Sequence, residues 1–383
     1  MGGVRLLVLG NGAAGAEKQA LALGNRLREK LLEKRVLDMS DGLRSRVECV
    51  RVTLGRSRLF PPVLQLVGAR LTGNPLFGYK EQDARRLLPV QRPRGSLDVV
   101  IGCGRSTVAL CAVMKQLDPA RTFNVQIQHP RVPLSWFDAV VAPRHDFPEG
   151  SGAHNLFLTS GTVHDITPEL LQLHGREWSD EFDEKVKGRK TRVVWLLGGP
   201  CRGFAFTEED AERMVQEFVQ ALPRDDDVAV LVTFSRRTPS KVQKIIRRGL
   251  NANLPEPGQL FMWDGTERRN PYYALLATAS CVVTTPDSIS MTTEAIASGK
   301  PVLTVSVERC KRFHQSLFES SSTAPYTGDT VGTVLQQRWY DSDKDEKNAV
   351  RSIAYIALEK ELASIVNSIA TDVQEKLEGS NTS

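Results

Sequence analysis

His145 and Asp146 close the apolar run Ala139–Ala142. A histidine beside a carboxylate is the pairing that general acid–base chemistry uses. It is also a common structural hydrogen-bonded pair, and both roles stay open. Asp138, Asp287 and Glu294 are the remaining acid–base candidates, with Asp138 reading as a turn residue at a strand start. The preceding apolar stretch ends in Gln126-Ile127-Gln128-His129-Pro130-Arg131. With Arg144, these side chains supply the amides and cations that bind anions.

Four glycine turns accompany these clusters. Gly10-Asn11-Gly12-Ala13-Ala14-Gly15 fits G-x-G-x-x-G between a strand and a helix, with Glu17 and Gln19 in the first helical turn. A dinucleotide site also wants an acidic residue after the second strand. That strand ends RVTLGRSR, without one, so a tight turn facing a cleft is the favoured reading. Gly102-Cys103-Gly104-Arg105-Ser106 repeats the design. Arg105 there opposes the helix dipole unless an anion is bound, or it is simply an exposed arginine. Gly198–Gly203, with Gly199, and Thr233–Ser240, with Ser235, combine backbone N–H donors with arginine, as phosphate sites do.

The strongest local signal is TTPDSISMTTEAIASGKPVLTV. A strand ends at Thr285, Asp287 or Ser288 caps a helix, and Gly299 ends it. Glycosyltransferases of the GT-B type set such a helix against a nucleotide, its N-terminus on the pyrophosphate and a carboxylate farther on at the ribose. Glu294 holds the carboxylate position. The alternative is a capped helix with an exposed Glu.

The elements that must position these residues alternate. VRLLVL, RVECVRVTL, LDVVIGC, TFNVQI, FDAVVA and HNLFLT read as strands in the first half, and RVVWLL, DVAVLVTF, QLFMW, CVVTT and PVLTV in the second. Helical spacing recurs between them, as at Leu21, Leu23, Leu27 and Leu31. The segment around Pro61-Pro62 and Gly73-Asn74-Pro75 reads as irregular and partly amphipathic. Alternation of this kind predicts an α/β chain with two Rossmann-like parallel sheets facing a cleft, a GT-B-like architecture with a C-terminal helix. The charged stretch Gly175–Lys190 suggests a boundary, giving domains at 1–180 and 190–345 and a helix and tail at 346–383. In parallel sheets the strand ends share one edge, where ligands bind. The glycine turns and polar clusters then form one wall of a ligand-sized site.

Composition narrows the class. The chain has 383 residues, 41% hydrophobic and 25% charged, enough for about two domains. No apolar run approaches the ~18 residues of a membrane span, and MGGVRLLVLGNG is no secretory signal. The expectation is a cytoplasmic chain. The six cysteines are scattered without CxxC spacing, and no metal site is expected. Residues 1–100 carry 18 Lys and Arg against 9 Asp and Glu, whereas the remainder carries 32 against 36. The N-terminal part is therefore a candidate face for acidic lipid, phosphate or an acidic protein surface. A solvated basic surface is the alternative, and no nucleic-acid partner is expected.

The stretches LGNGAAGAEKQALAL, QIQHPRVPLSWFDAVVAPRHD, LTSGTVH, TFSRRTPSKV, NPYYALLATASCVVTTPDSISMTTEAIASGKPV and CKRFHQSL resemble the plant elongated-mitochondria (ELM-type) fission family. The resemblance covers nearly the whole chain. It implies a peripheral protein on the cytosolic face of the outer mitochondrial membrane that helps recruit a dynamin-related GTPase. That family brings no catalytic residues, so His145 and Asp146 stay candidates only. A metal-independent glycosyltransferase using a nucleotide sugar is the alternative function, with a nucleotide or nucleotide sugar as the ligand of the cleft. Lys30–Arg58 is longer and more basic than the family pattern, and Pro286 stands where a small residue is usual.

Overall fold

The computed structural model describes residues 3–37, 47–51, 61–79, 87, 96–147, 152–201, 204–263, 265, 269–305, 311–341 and 353–381. The chain divides into two compact units. The first comprises residues 1–165 with 360–383, and the second 166–359.

The first unit runs β1 (Val4–Gly10), α1 (Ala14–Glu33), β2 (Val47–Arg51), α2 (Pro62–Thr72), β3 (Leu97–Cys103), α3 (Val108–Leu117), β4 (Thr122–Ile127), β5 (Ala139–Pro143) and β6 (Leu156–Thr159). Its strands form a parallel sheet in the order β2-β1-β3-β4-β5-β6. The strands β1, β3, β4 and β5 are buried almost throughout, as expected of a sheet covered on both faces. Leu23, Leu27 and Leu31 of α1 cover one face together with Ile365, Ile369 and Val373 from the end of the chain. Leu66 and Ala69 of α2 and Val108, Ala112 and Val113 of α3 cover the other.

The second unit runs α4 (Pro168–Lys185), β7 (Thr191–Leu197), α5 (Glu208–Ala221), β8 (Val228–Phe234), α6 (Ser240–Asn253), β9 (Leu260–Trp263), α7 (Tyr272–Thr278), β10 (Cys281–Thr284), α8 (Ile289–Ala297), β11 (Val302–Thr304), α9 (Lys311–Glu319), β12 (Ala324–Pro325) and α10 (Gly328–Asp341). Its parallel sheet has the order β12-β11-β10-β7-β8-β9. Counted within the unit, this is the doubly wound order 3-2-1-4-5-6 read from the β9 edge. Trp195 stacks on Phe218 at 4.2 Å in the core on the α5 side. Trp178 and Phe182 of α4 fill the core on the other face.

The final helix, α11 (Ile353–Asn381), serves both units in turn. Leu358 packs in the second unit's core, and Leu362 onward in the first unit's.

These elements confirm the α/β class with two parallel sheets and a C-terminal helix. The division differs from the one suggested by charge. Gly175–Lys190 is mostly α4, whose Leu171, Trp178 and Phe182 belong to the second core, so the chain divides at Asp165 rather than near 180–190. The C-terminal helix is likewise no separate part, since Lys360–Ser383 completes the first unit. The segment read as irregular contains α2, because Pro62 is accommodated in the first helical turn and Gly73 closes the helix at φ 66°. The helices α9 and α10 and the short β12 have no counterpart in the sequence reading.

Candidate functional site

Each sheet carries its polar strand ends at the carboxyl edge, and in each the strand order reverses at one point. Ligands of doubly wound sheets bind at that reversal. In the first unit it lies between β1 and β3, in the second between β7 and β10.

In the first unit, the structure places Gly10, Gly12, Gly15, Gln19, Arg105, Gln128, His129, Arg131, Arg144, His145 and Asp146 at or just beyond this edge. Gly12 adopts φ 76°, which favours glycine. Its N–H donates to Glu17 Oε1 at 2.7 Å. A carboxylate of the chain itself thus takes the donor that a phosphate would use. Asn11 Nδ2 donates to Ser106 Oγ at 2.8 Å and joins the turns after β1 and β3 across the reversal. A Cβ on Gly15 would meet nothing within 4 Å, so the third glycine of the motif has no close-packing duty. Gln19 is buried beside Cys103, its Oε1 3.9 Å from the thiol, which burial pushes up to about 12. Arg105 is exposed and precedes the N-cap Thr107, outside the helix proper.

The QIQHPR cluster is a strained turn. Gln128 and Arg131 both have positive φ, at 70° and 61°, uncommon for side chains with a Cβ. Gln128 N–H still donates to Val141 O at 2.8 Å. His129 Nδ1 accepts the Arg131 N–H at 3.0 Å, and its ring stacks on Phe147 at 4.3 Å. Burial and the Arg131 charge lower its pKa. Gln126 Nε2 donates to Ile127 O at 2.9 Å, while Oε1 is buried without a hydrogen-bond partner among the described residues. That oxygen lies against Gly102, where a Cβ would come within 2.8 Å of it.

His145 and Asp146 sit in one turn of 3-10 helix after β5. Their closest approach, Nε2 to Oδ1, is 3.9 Å, too long for a hydrogen bond. Burial lowers the His145 pKa, and Asp146 acts in the opposite sense. Arg144 is paired with Glu361 of α11 at 3.0 Å, and Glu361 also accepts from the Ser160 hydroxyl at 2.9 Å. Asp138 is held by the Asn124 N–H at 2.9 Å and by Lys115 at 3.0 Å and Lys376 at 3.4 Å. It fastens β4, α3 and α11 as a structural residue.

In the second unit, the structure gathers Gly199, Ser235, Asp287 and Ser288 around the reversal between β7 and β10. Asp287 is the centre. Its side chain is fully buried. Oδ2 accepts the Gly199 N–H at 2.8 Å, and Oδ1 accepts the Thr285 hydroxyl at 2.7 Å. Thr285 Oγ1 in turn accepts the Gly198 N–H at 2.9 Å. Arg237 Nη2 approaches Oδ2 at 3.6 Å while Nη1 donates to Pro200 O at 3.1 Å. Burial raises the Asp287 pKa, and the Thr285, Gly199 and Arg237 contacts pull it back.

Both glycines of the turn are sterically required. A Cβ on Gly198 would lie 2.1 Å from the Asp287 carboxylate, and one on Gly199 would lie 2.5 Å from the Arg237 backbone. Ser235 Oγ accepts the Arg237 N–H at 3.1 Å. Ser288 is the N-cap of α8, accepting from Met291 N. Glu294 is buried rather than exposed, and its Oε2 accepts the Tyr272 hydroxyl at 2.5 Å. His314 of α9 was not singled out in the sequence. It is wholly buried, and its Nε2 lies 3.1 Å from Pro286 O. Arg202 and Gly203 lie outside the described residues. Among the described residues, no three His, Cys, Asp or Glu gather as a metal ion would need.

A family model described as mitochondrial fission ELM1 matches residues 14–355. The chain belongs to this fission family. A mitochondrial fission protein ELM1 from Arabidopsis thaliana is 29% identical over 371 residues, covering 85% of this chain and 84% of the relative. Among solved structures, a UDP-N-acetylglucosamine 2-epimerase superposes with TM-score 0.52 at 15% identity, covering 98% of this chain and 96% of that one. An α,α-trehalose 6-phosphate synthase from Burkholderia multivorans superposes with TM-score 0.51 at 12% identity, covering 99% of both. At such identities the likeness shows the fold, which is GT-B-like. The fission-family chain thus has a GT-B-like fold, with glycine-turn amides engaged by its own carboxylates.

Proposed function

We propose that this chain acts in mitochondrial fission as a peripheral scaffold on the outer mitochondrial membrane, helping to recruit a dynamin-related GTPase. Membership of the fission family across residues 14–355 carries the reading. The internal filling of the glycine turns supports it, because Glu17 and Asp287 already occupy the Gly12 and Gly199 amides. Such amides otherwise bind the phosphates of a ligand. No helix among the described residues is long and apolar enough to cross a membrane, and attachment through a surface or a receptor is consistent with that. The test is to tag the protein at its native locus and then delete it. Mitochondrial location, elongated mitochondria on deletion and release of the GTPase into the cytosol are expected. Normal mitochondria in the deletion strain would sink the proposal.

A nucleotide-sugar glycosyltransferase is the second reading, favoured by the strand order and by Glu294 buried on α8. A ligand at a hundred times its Kd stabilises the folded state by about 2.7 kcal/mol, so a thermal-shift series with UDP and UDP-sugars separates the two. The scaffold reading expects no shift. A clear rise in Tm with any nucleotide would favour the enzyme.

A further inference from the structure

The helix α2 is apolar on two opposite sides. Leu66 and Ala69 are buried in the core of the first unit. Val63, Leu64, Val67 and Leu71 turn outward and are 47%, 50%, 43% and 83% exposed. At ~100° per residue the four fall within an arc of about 100° and form one stripe. They are half of the large apolar side chains exposed among the described residues, which also include Leu117, Leu173, Ile353 and Ile356. Scattered surface leucines need no explanation, but a contiguous stripe marks a contact.

The stripe is presented by a well-seated helix. Gln65 is buried beside Gly78, and the Phe77 ring lies where a Cβ on Gly68 would be 2.2 Å from it. Its charge setting is one-sided. The helix holds no Asp or Glu, and Arg70 borders the stripe, fixed to Gln116 at 2.7 Å. In the sequence just before α2, residues 51–60 hold three arginines and no acid. Just after it, residues 80–94 hold five Lys and Arg against Glu81 and Asp83. An apolar helix face bordered by Arg70, within a stretch of sequence rich in cations, suits the interfacial layer of a bilayer with anionic headgroups, where apolar burial and electrostatic attraction add.

We propose that the outer stripe of α2 is a membrane-contact surface for anionic lipid. This rests on the peripheral-membrane reading above and names the surface that would serve it.

The test is flotation of the full-length protein with phosphatidylcholine–phosphatidylserine vesicles and with phosphatidylcholine vesicles alone. The chain should float with the anionic vesicles, less so as salt rises. The double variant Val67→Gln, Leu71→Gln should bind at least about tenfold more weakly, and Leu173→Gln, elsewhere in the chain, should bind as the parent does. Matched Tm values show that the double variant is folded; if it is not, Leu64→Gln alone replaces it. Equal flotation of parent and double variant overturns the proposal, as does a parent that ignores vesicles, including one that self-associates instead. The two readings fail separately. A tagged chain found on mitochondria but not on vesicles leaves the fission reading standing and removes this one. A chain that floats with vesicles but is absent from mitochondria does the reverse.

Discussion

The Gly199 amide lies 2.8 Å from Asp287 Oδ2, across the point where the second sheet's strand order reverses. A doubly wound fold keeps this crevice for a ligand. Here an internal carboxylate bridges it, with Thr285 tying the neighbouring Gly198 amide to the same group. The bridge is short, buried and charge-assisted, the stronger class of hydrogen bond.

Removing the bridge should therefore cost more than removing its charge. Asp287→Ala leaves the Gly199 N–H and the Thr285 hydroxyl without their acceptor, a loss of about 3 kcal/mol. Asp287→Asn keeps an acceptor for Gly199 and relieves a buried charge, so its cost should stay below about 1 kcal/mol. Urea unfolding of the two variants measures the difference; equal losses would show that charge, not bridging, is what matters.

The glycines should separate by their surroundings. Gly198→Ala pushes a methyl into the Asp287 carboxylate, which would be 2.1 Å away, and should destabilise by more than about 2 kcal/mol. Gly15→Ala places a methyl in open space at a helical position and should be neutral or stabilising by up to about 0.5 kcal/mol. Thermal melts decide this, and an unstable Gly15→Ala would restore a close-approach role to the third glycine of the motif.

Acidification should weaken the fold through histidines whose pKa burial lowers. His314 has no exposed surface, and its Nδ1 has no hydrogen-bond partner among the described residues. Burial lowers its pKa, although Pro286 O acts in the opposite sense. A folded-state pKa below the unfolded value of about 6.5 means that the unfolded chain binds more protons. The stability this histidine contributes is thus present above that pH and is lost as pH falls through the folded value. His129 and His145 shift in the same direction, so the urea midpoint should fall from pH 7 to 5.5. The drop should shrink in His314→Gln, and an identical pH profile in that variant would exclude His314 as a contributor. Asp287, raised by burial, works oppositely at lower pH: its contribution is present below the unfolded carboxylate value and is lost as pH rises through the folded one.

The final helix offers a fourth check. Ile369 is fully buried in the first unit's core, so Ile369→Ala should cost about 2–5 kcal/mol. Hydrogen exchange should show the loss at β1 and β3 but not at β7 and β8. Uniform loss across both sheets would mean that the units unfold together.

Much of this was legible in the residues. Alternating strand and helix patterns are local, and so are the glycine turns that sit between them. The GT-B-like class and the polar sheet edges follow from those patterns. The internal partners did not follow. Arg144 with Glu361 and Asp138 with Lys376 are more than two hundred residues apart, a separation at which periodicity carries no information. Asp287 reads in sequence as a ligand-facing cap, and only the backbone path of the Gly198-Gly199 turn shows its carboxylate directed inward. The charge run at Gly175–Lys190 misled for a different reason. It is the wet side of α4, whose dry side, with Trp178 and Phe182, already belongs to the second core.

The split membership of α11 sets an order of events on the ribosome. Residues 1–165 emerge first, but the part of α11 that closes one face of their sheet lies beyond residue 359. Domains usually fold as units, N-terminal first, during synthesis. Here the earlier unit lacks Ile365, Ile369 and Val373, which share a core with Leu23, Leu27 and Leu31, until the whole later unit has been made. For that interval the nascent chain exposes an apolar sheet face of its own, the kind of surface that chaperones bind.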